Sequence, residues 1–424
     1  MRLRASSCAA RQFRVIAETE PPSRGIFDPH GPSSKRERGD APYPSLFSIR
    51  GLCVWRCVTA APEPPARPPH CPAASSSLRE VRVARVAVVT GGTAGIGLAT
   101  AHAFAREGWS VGIVARDEGR LRDAEAALRR HGGAVLAISA DVADVEAVND
   151  AADRFEAELG PIDSWVNNAM SSIVAPVPEI APEEWRRVTE TTYLSQVWGT
   201  LAALRHMRRR NRGTIVQVSS GLGLRSMPLQ VPYCAAKHAV TGFTDGLRSE
   251  LLHERVDVNL TVVYLPAVNT PQFGWARTRT GAEQDIPAPV FDPRLCADAI
   301  LFAANNRRRD IWVGRSTVQM GLMQVVSPAL SDRMMARGWD AQIGEAAPDK
   351  PGNLFKPAPG PAAIDGKFSD KTTPTRSEFF TDRQRDVLVT GLAAVCLGGA
   401  AALALGAGAA RRLGRRRRLL PRLF

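Results

Sequence analysis

The sequence predicts an α/β domain built on a doubly wound parallel sheet of seven strands, and three observations carry that prediction. From Val81 onward, short β-branched runs alternate with amphipathic Ala/Arg/Glu stretches, the pattern of repeated βαβ units. A glycine-rich turn joins the first run to the first helical stretch. The composition, 44% hydrophobic and 23% charged, is that of a globular chain rather than a disordered or fibrous one.

The candidate strands are 86–90, 110–115, 134–140, 163–168, 213–219, 256–265 and 310–314, and helical patterns begin near Ile96, Asp117, Asp144, Pro182, Tyr233 and Pro293. Right-handed crossovers between parallel strands put helices on both faces and leave a ligand crevice at the carboxyl ends of the strands. Further helical patterns follow Gly314 and complete a domain spanning 81–345.

Outside that span the character changes. Residues 1–80 hold twelve prolines and no sustained apolar period, so the segment reads as a disordered extension. Residues 346–386, rich in Pro, Gly and Lys, read as a linker. Residues 387–410 contain 24 residues without a charge. As a helix at about 1.5 Å per residue they would reach about 36 Å, enough to cross a hydrocarbon core of about 30 Å. The expectation is a C-terminal apolar transmembrane helix, followed by an Arg-rich tail at 411–424. The alternative for this end of the chain is to lie along the interface, with its arginines on anionic lipid.

The formal charge of +13 sits at the ends: residues 1–80 have a net of +5, and 411–424 carry seven arginines and no acid. The nearly neutral middle offers no footprint for a phosphate backbone, which excludes nucleic acid as a partner of the domain. Seven dispersed cysteines form no disulfide framework and suit a reducing compartment. Cys53, Cys57, His70 and Cys71 match no zinc spacing, so no metal is expected.

Thr90-Gly91-Gly92-Thr93-Ala94-Gly95-Ile96-Gly97 lies where phosphate recognition needs a tight turn, close backbone approach and an open helix N-terminus, and its glycines permit all three. Tyr233 and Lys237 stand four residues apart on one helix face. A tyrosine exchanging a proton near pH 7 must have its pKa lowered by about 3, or about 4 kcal/mol. One positive charge at about 4 Å in an effective dielectric of about 20 supplies that order. Alone, the pair reads as an ordinary surface Tyr and Lys. Ser219 and Ser220, ending a strand 13 or 14 residues upstream, bring a hydroxyl to the same crevice.

With these elements in order, and with Asn167-Asn168-Ala169 and Leu265-Pro266-Ala267-Val268-Asn269-Thr270 following two later strands, the chain resembles the short-chain dehydrogenase/reductase family over 84 to about 320. The resemblance implies a Rossmann-type sheet and hydride transfer between a nicotinamide and a carbonyl or alcohol carbon. It implies Tyr233 as acid/base, Lys237 as the group lowering its pKa and holding the nicotinamide ribose, and Ser220 as the hydrogen-bonder of the substrate oxygen. Asp141 and Val142 would contact adenine. Gly91, Thr93, Gly95, Ile96 and Gly97 would take the phosphates, Asn168 and Ala169 would line the groove, and Val268 and Thr270 would hold the carboxamide side. The second strand ends Val114-Ala115-Arg116. Ala115 removes the acid that NAD-preferring members place there, and Arg116 offers a forked cation to a 2′-phosphate, so NADP is expected, with NAD as the alternative if Arg116 is merely solvated.

Three positions depart from the family pattern: Thr192 stands where an Asn supports a water relay to the lysine, and Met170 and Ala267 replace glycines near the nicotinamide end. The lid region 272–290, with Phe273 and Trp275, suits an apolar substrate. The expectations are therefore a membrane-anchored NADP(H)-dependent enzyme acting on a small carbonyl or alcohol. Its catalytic domain would be cytoplasmic, and the resemblance implies a homo-oligomer, for which the regions 182–209 and 233–254 often supply the contact in that family. The competing reading is a membrane-tethered nucleotide-binding scaffold or sensor with little turnover.

Overall fold

The structure, a computed structural model, describes residues 84–374, 377–387, 390 and 391. The chain divides into two units after Ser77, and every described residue belongs to the second. The predicted extension 1–80, with its four cysteine and histidine candidates, the Arg-rich tail and all but Val387, Thr390 and Gly391 of the expected span 387–410 lie outside the described residues. Among the described residues no helix is long and apolar enough to cross a membrane.

Seven parallel strands form the sheet: β1 (Val86–Thr90), β2 (Ser110–Ala115), β3 (Val135–Ser139), β4 (Ile162–Asn167), β5 (Gly213–Ser220), β6 (Val258–Leu265) and β7 (Asp310–Val313). A short strand, β8 (Phe379–Thr381), adds to the edge antiparallel to β7, giving the order β8-β7-β6-β5-β4-β1-β2-β3. The order reverses between β1 and β4, which opens the crevice above their carboxyl ends. β1 is buried along its whole length, as a central strand covered on both faces must be.

On one face pack α1 (Gly95–Arg106), α2 (Glu118–Arg129) and α7 (Pro293–Asn305), through Phe104, Leu121, Leu128 and Ile300. On the other pack α3 (Val145–Glu158), α5 (Ser195–Met207) and α6 (Val231–His253), through Phe155, Met207 and Leu251. Each such side chain taken from water contributes about 1.5–3 kcal/mol. The starts follow local chemistry: Asp117 and Asp144 accept hydrogen bonds from the amides of Arg120 and Ala147 and so cap α2 and α3. α4 (Pro182–Thr189) runs into a π-helical turn, Glu190–Leu194, before α5. Beyond β7, α8 (Arg315–Val326) and α9 (Pro328–Arg337) form a helical hairpin.

The linker expected over 346–386 is corrected by the structure. Leu354 and Phe368 are buried, and Asn269 Oδ1 accepts the Phe368 amide at 3.0 Å. The glycines serve close approach: a Cβ on Gly352, at φ +58°, would lie 2.3 Å from the Arg277 nitrogen, and one on Gly366 2.3 Å from the Thr270 carbonyl. Pro/Gly content here marks a strap laid against the domain rather than a free spacer, and it ends by donating β8 to the sheet.

Candidate functional site

The glycine turn is held in shape before any ligand arrives. Gly91 and Gly95 have φ of +69° and +52°, a region that favours glycine. A Cβ on Gly97 would lie 2.1 Å from the Gly91 carbonyl oxygen. Thr90 Oγ1 accepts the amides of Asn168 and Ala169 at 2.9 and 3.1 Å, and Asn168 Nδ2 donates to the Thr90 carbonyl at 2.9 Å. The turn is thereby fastened to the end of β4. Asn167 is buried and bonded to Trp165, Thr200 and Gln217, which makes it a support for the sheet.

One cavity of about 950 Å³ runs from this turn to the lid. It is lined by Gly91, Thr93, Gly95, Ile96, Gly97, Arg116, Asp141, Val142, Asn168, Ala169, Ser220, Tyr233, Lys237, Val268 and Thr270. The structure therefore brings every expected site residue except Thr192 to a single crevice. Met170, Ala267, Phe273 and Trp275 line it as well.

At its reactive end, Ser220 closes β5 and its Oγ accepts the Leu222 amide at 3.1 Å. Tyr233, in the first turn of α6, is half-buried. Burial pushes its phenol above the ordinary tyrosine value, and the Ser220 hydroxyl beside it pulls the other way. Lys237 is buried, donates from Nζ to the Val218 carbonyl at 2.7 Å, and sits 5.7 Å from the Tyr233 ring centre. Burial pulls its ammonium down to about 7. Desolvation thus drives both groups toward neutrality, against the simple charge argument in which Lys237 lowers the phenol. In this protein that effect requires further polar groups at the lysine beyond one carbonyl.

Thr192 stands elsewhere than expected. Its hydroxyl donates to the Ser171 carbonyl at 2.7 Å and accepts the Ser171 amide at 3.0 Å, pinning the loop after β4 to the π turn. A relay from Thr192 Oγ1 to Lys237 is corrected on that ground, because the hydroxyl is committed to Ser171. Thr191, its neighbour, lines the cavity with a buried Oγ1 that has no partner among the described residues.

The adenosine end is more basic than Arg116 alone implied. Arg116, Arg120 and Arg187 converge there. Arg116 donates to the carbonyls of Asn353, Leu354 and Phe355, Arg120 to that of Ala358, and Arg187 to that of Leu354 and to Asp141. Arg116 is therefore neither solvated nor wholly free for a ligand: the strap takes part of its fork. The strap also accepts the Gly95 amide on the Ala363 carbonyl at 2.8 Å. Arg120, which the sequence pattern did not single out, lines the cavity under the Trp275 ring at 4.7 Å and keeps a buried, unpartnered Nε. Its place in the first turn of α2, four residues after Arg116 at the end of β2, was the available signal. Ser219 Oγ, buried in the cavity wall, is likewise unpartnered among the described residues. Unsatisfied donors and a guanidinium facing a crevice closed by glycine backbone fit a phosphorylated dinucleotide. Among the described residues no group of three or more His, Cys, Asp or Glu side chains is placed to hold a metal ion.

Compared with known proteins, the chain matches the short chain dehydrogenase family profile over residues 85–279. It is 32% identical over 255 residues to an uncharacterized oxidoreductase, YxnA, of Bacillus subtilis, covering 60% of this chain and 72% of that protein. It is 28% identical to a fatty acyl-CoA reductase of Acinetobacter baylyi, over 62% of this chain and 86% of that one. Among solved structures, a metagenomic short-chain oxidoreductase in complex with NADP is 25% identical and covers 52% of this chain and 91% of its own, at a TM-score of 0.45.

Proposed function

Because the chain belongs to the short-chain dehydrogenase/reductase family, whose members are NAD(P)-dependent oxidoreductases acting on CH–OH and C=O groups, we propose that it interconverts an apolar carbonyl compound and its alcohol, using NADP(H). The observation that carries the reading is the convergence of Ser220, Tyr233 and Lys237 on the same cavity as the glycine turn. The backbone of residues 91–97 would hold the pyrophosphate, with Arg116 and Arg120 at a 2′-phosphate, Asp141 and Val142 at adenine, and Val268 and Thr270 at the carboxamide. When bound there, the nicotinamide supplies or accepts the hydride.

The chain's own residues do the rest. The Ser220 hydroxyl holds the substrate oxygen. Tyr233 Oη–H gives that oxygen its proton as the carbon gains hydride, and takes it back in the reverse direction. Positioned proton transfer of this kind is worth roughly 10²- to 10⁴-fold. Lys237, buried behind the tyrosine, supplies positive charge to the phenolate whenever it is protonated. Phe273 and Trp275 add apolar faces to the cavity wall.

NADP over NAD is supported by the cluster of Arg116 and Arg120 and by the absence of an acid at Ala115. Anchoring through 387–410 with a cytoplasmic catalytic domain, and homo-oligomer formation, belong to the same proposal and rest on the charge-free run and the family's habits. Purified full-length protein should oxidise NADPH in the presence of apolar aldehydes or ketones, followed by nicotinamide absorbance, and Tyr233→Phe should abolish it. Tight nucleotide binding without turnover by the wild type would point to the scaffold instead.

A further inference from the structure

Six of the chain's eight methionines, Met170, Met227, Met320, Met323, Met334 and Met335, line the cavity that holds Tyr233 and the glycine turn. Four of them lie on α8 and α9, so the hairpin is a wall of the chamber. Methionine is unbranched and polarizable, and a wall of this kind accommodates a flexible apolar chain in several conformations.

The outer side of the same hairpin is open. Residues 316–331 contain no charged side chain. Val325 and Val326, at the turn, are 83% and 81% exposed, and Leu330 and Met334 are 49% and 42% exposed. A contiguous apolar patch of this kind marks an interaction surface. Met334 belongs both to the patch and to the cavity lining, so the patch rims the cavity mouth. Just beyond it, exposed Arg333 and Arg337 make no ion pair among the described residues, whereas Asp332 is engaged by Arg225. Between Asp332 and Arg337 the charge left unpaired is positive.

We propose that the α8–α9 hairpin dips into an anionic lipid surface and admits a long, unbranched aliphatic carbonyl compound from it to the methionine-lined cavity. A rigid protein docked on this rim would close the mouth, whereas a bilayer covers the apolar tip and delivers substrate through it. The unpaired arginines match lipid phosphate. The same chain carries 24 charge-free residues at 387–410, which also favour a bilayer as the occupant. The inference rests on the reductase reading above and narrows its substrate.

The test uses full-length protein, hexadecanal carried in phosphatidylcholine/phosphatidylglycerol vesicles, and hexanal in solution. Val325→Asp with Val326→Asp should raise KM for vesicle-borne hexadecanal by about tenfold or more, about 1.4 kcal/mol, and leave kcat/KM for hexanal unchanged. Arg333→Glu with Arg337→Glu should do the same only when phosphatidylglycerol is present. Amide exchange of residues 322–331 in the wild type should slow when vesicles are added. An unchanged hexadecanal KM, or an equal loss on both aldehydes, overturns the proposal. Conversion of a wild-type dimer to monomer in the valine variant with hexadecanal KM intact overturns it in favour of a contact between copies. Turnover of hexanal without hexadecanal defeats this inference and leaves the reductase reading standing, whereas turnover of neither defeats both.

Discussion

Replacing Lys237 by methionine should stabilise the ligand-free protein, by an amount that depends on pH. The lysine is 2% exposed, and burial pulls its pKa to about 7, against about 10.4 for an unfolded lysine. That gap corresponds to about 5 kcal/mol, fully felt below pH 7, where the folded chain must hold an ammonium away from water. Because the folded pKa lies below the unfolded one, the unfolded state binds the extra proton between about pH 7 and 10. Wild-type stability therefore rises across that window, by about 1.4 kcal/mol per pH unit. Methionine is of similar length and carries no proton. Its substitution also loses the bond to the Val218 carbonyl, worth about 1 kcal/mol. The net advantage of Lys237→Met should be about 3 kcal/mol at pH 7 and about 1 kcal/mol at pH 9. Urea unfolding at the two pH values, with m unchanged, reads it directly. A variant less stable than wild type at pH 7, or a difference constant with pH, would show that burial is not what depresses this lysine.

Thr192→Val should remove both bonds to Ser171 and lower stability by about 1–3 kcal/mol, since a buried amide and carbonyl lose their partner; thermal unfolding should show Thr192→Ser close to wild type. Gly97→Ala places a Cβ 2.1 Å from the Gly91 carbonyl, and titration of nicotinamide fluorescence should find NADPH binding lost. Arg116→Ala with Arg120→Ala should reduce the preference for NADPH over NADH in kcat/KM by about tenfold or more, the scale of one or two charge-assisted hydrogen bonds.

What the sequence reveals is what burial on two faces enforces. The runs at 86–90 and 110–115 coincide with β1 and β2 because strands covered on both sides admit almost only apolar residues. The glycine turn and the Tyr233/Lys237 pair are legible because their geometry is local. Non-local features escape. β8 is three residues long and follows a strap with no period of its own, so nothing in Phe379–Thr381 announces a strand. Arg116 donates to the Asn353 carbonyl, 237 positions away, which no reading of Val114-Ala115-Arg116 anticipates. The likeness to the family assigns Thr192 to the relay, whereas within the π turn at Glu190–Leu194 it is Thr191 that lines the cavity, a local winding that no likeness of sequence reveals.

Whether Tyr233 hands a proton to a substrate oxygen beside a hydride donor is decided by turnover of hexanal with NADPH deuterated on the transferred C4 position. The wild type should give hexanol with one deuterium on the carbinol carbon, and Tyr233→Phe, folded and still binding NADPH, should give none. Unlabelled alcohol from the wild type, or labelled alcohol formed at an undiminished rate by Tyr233→Phe, would rule that role out.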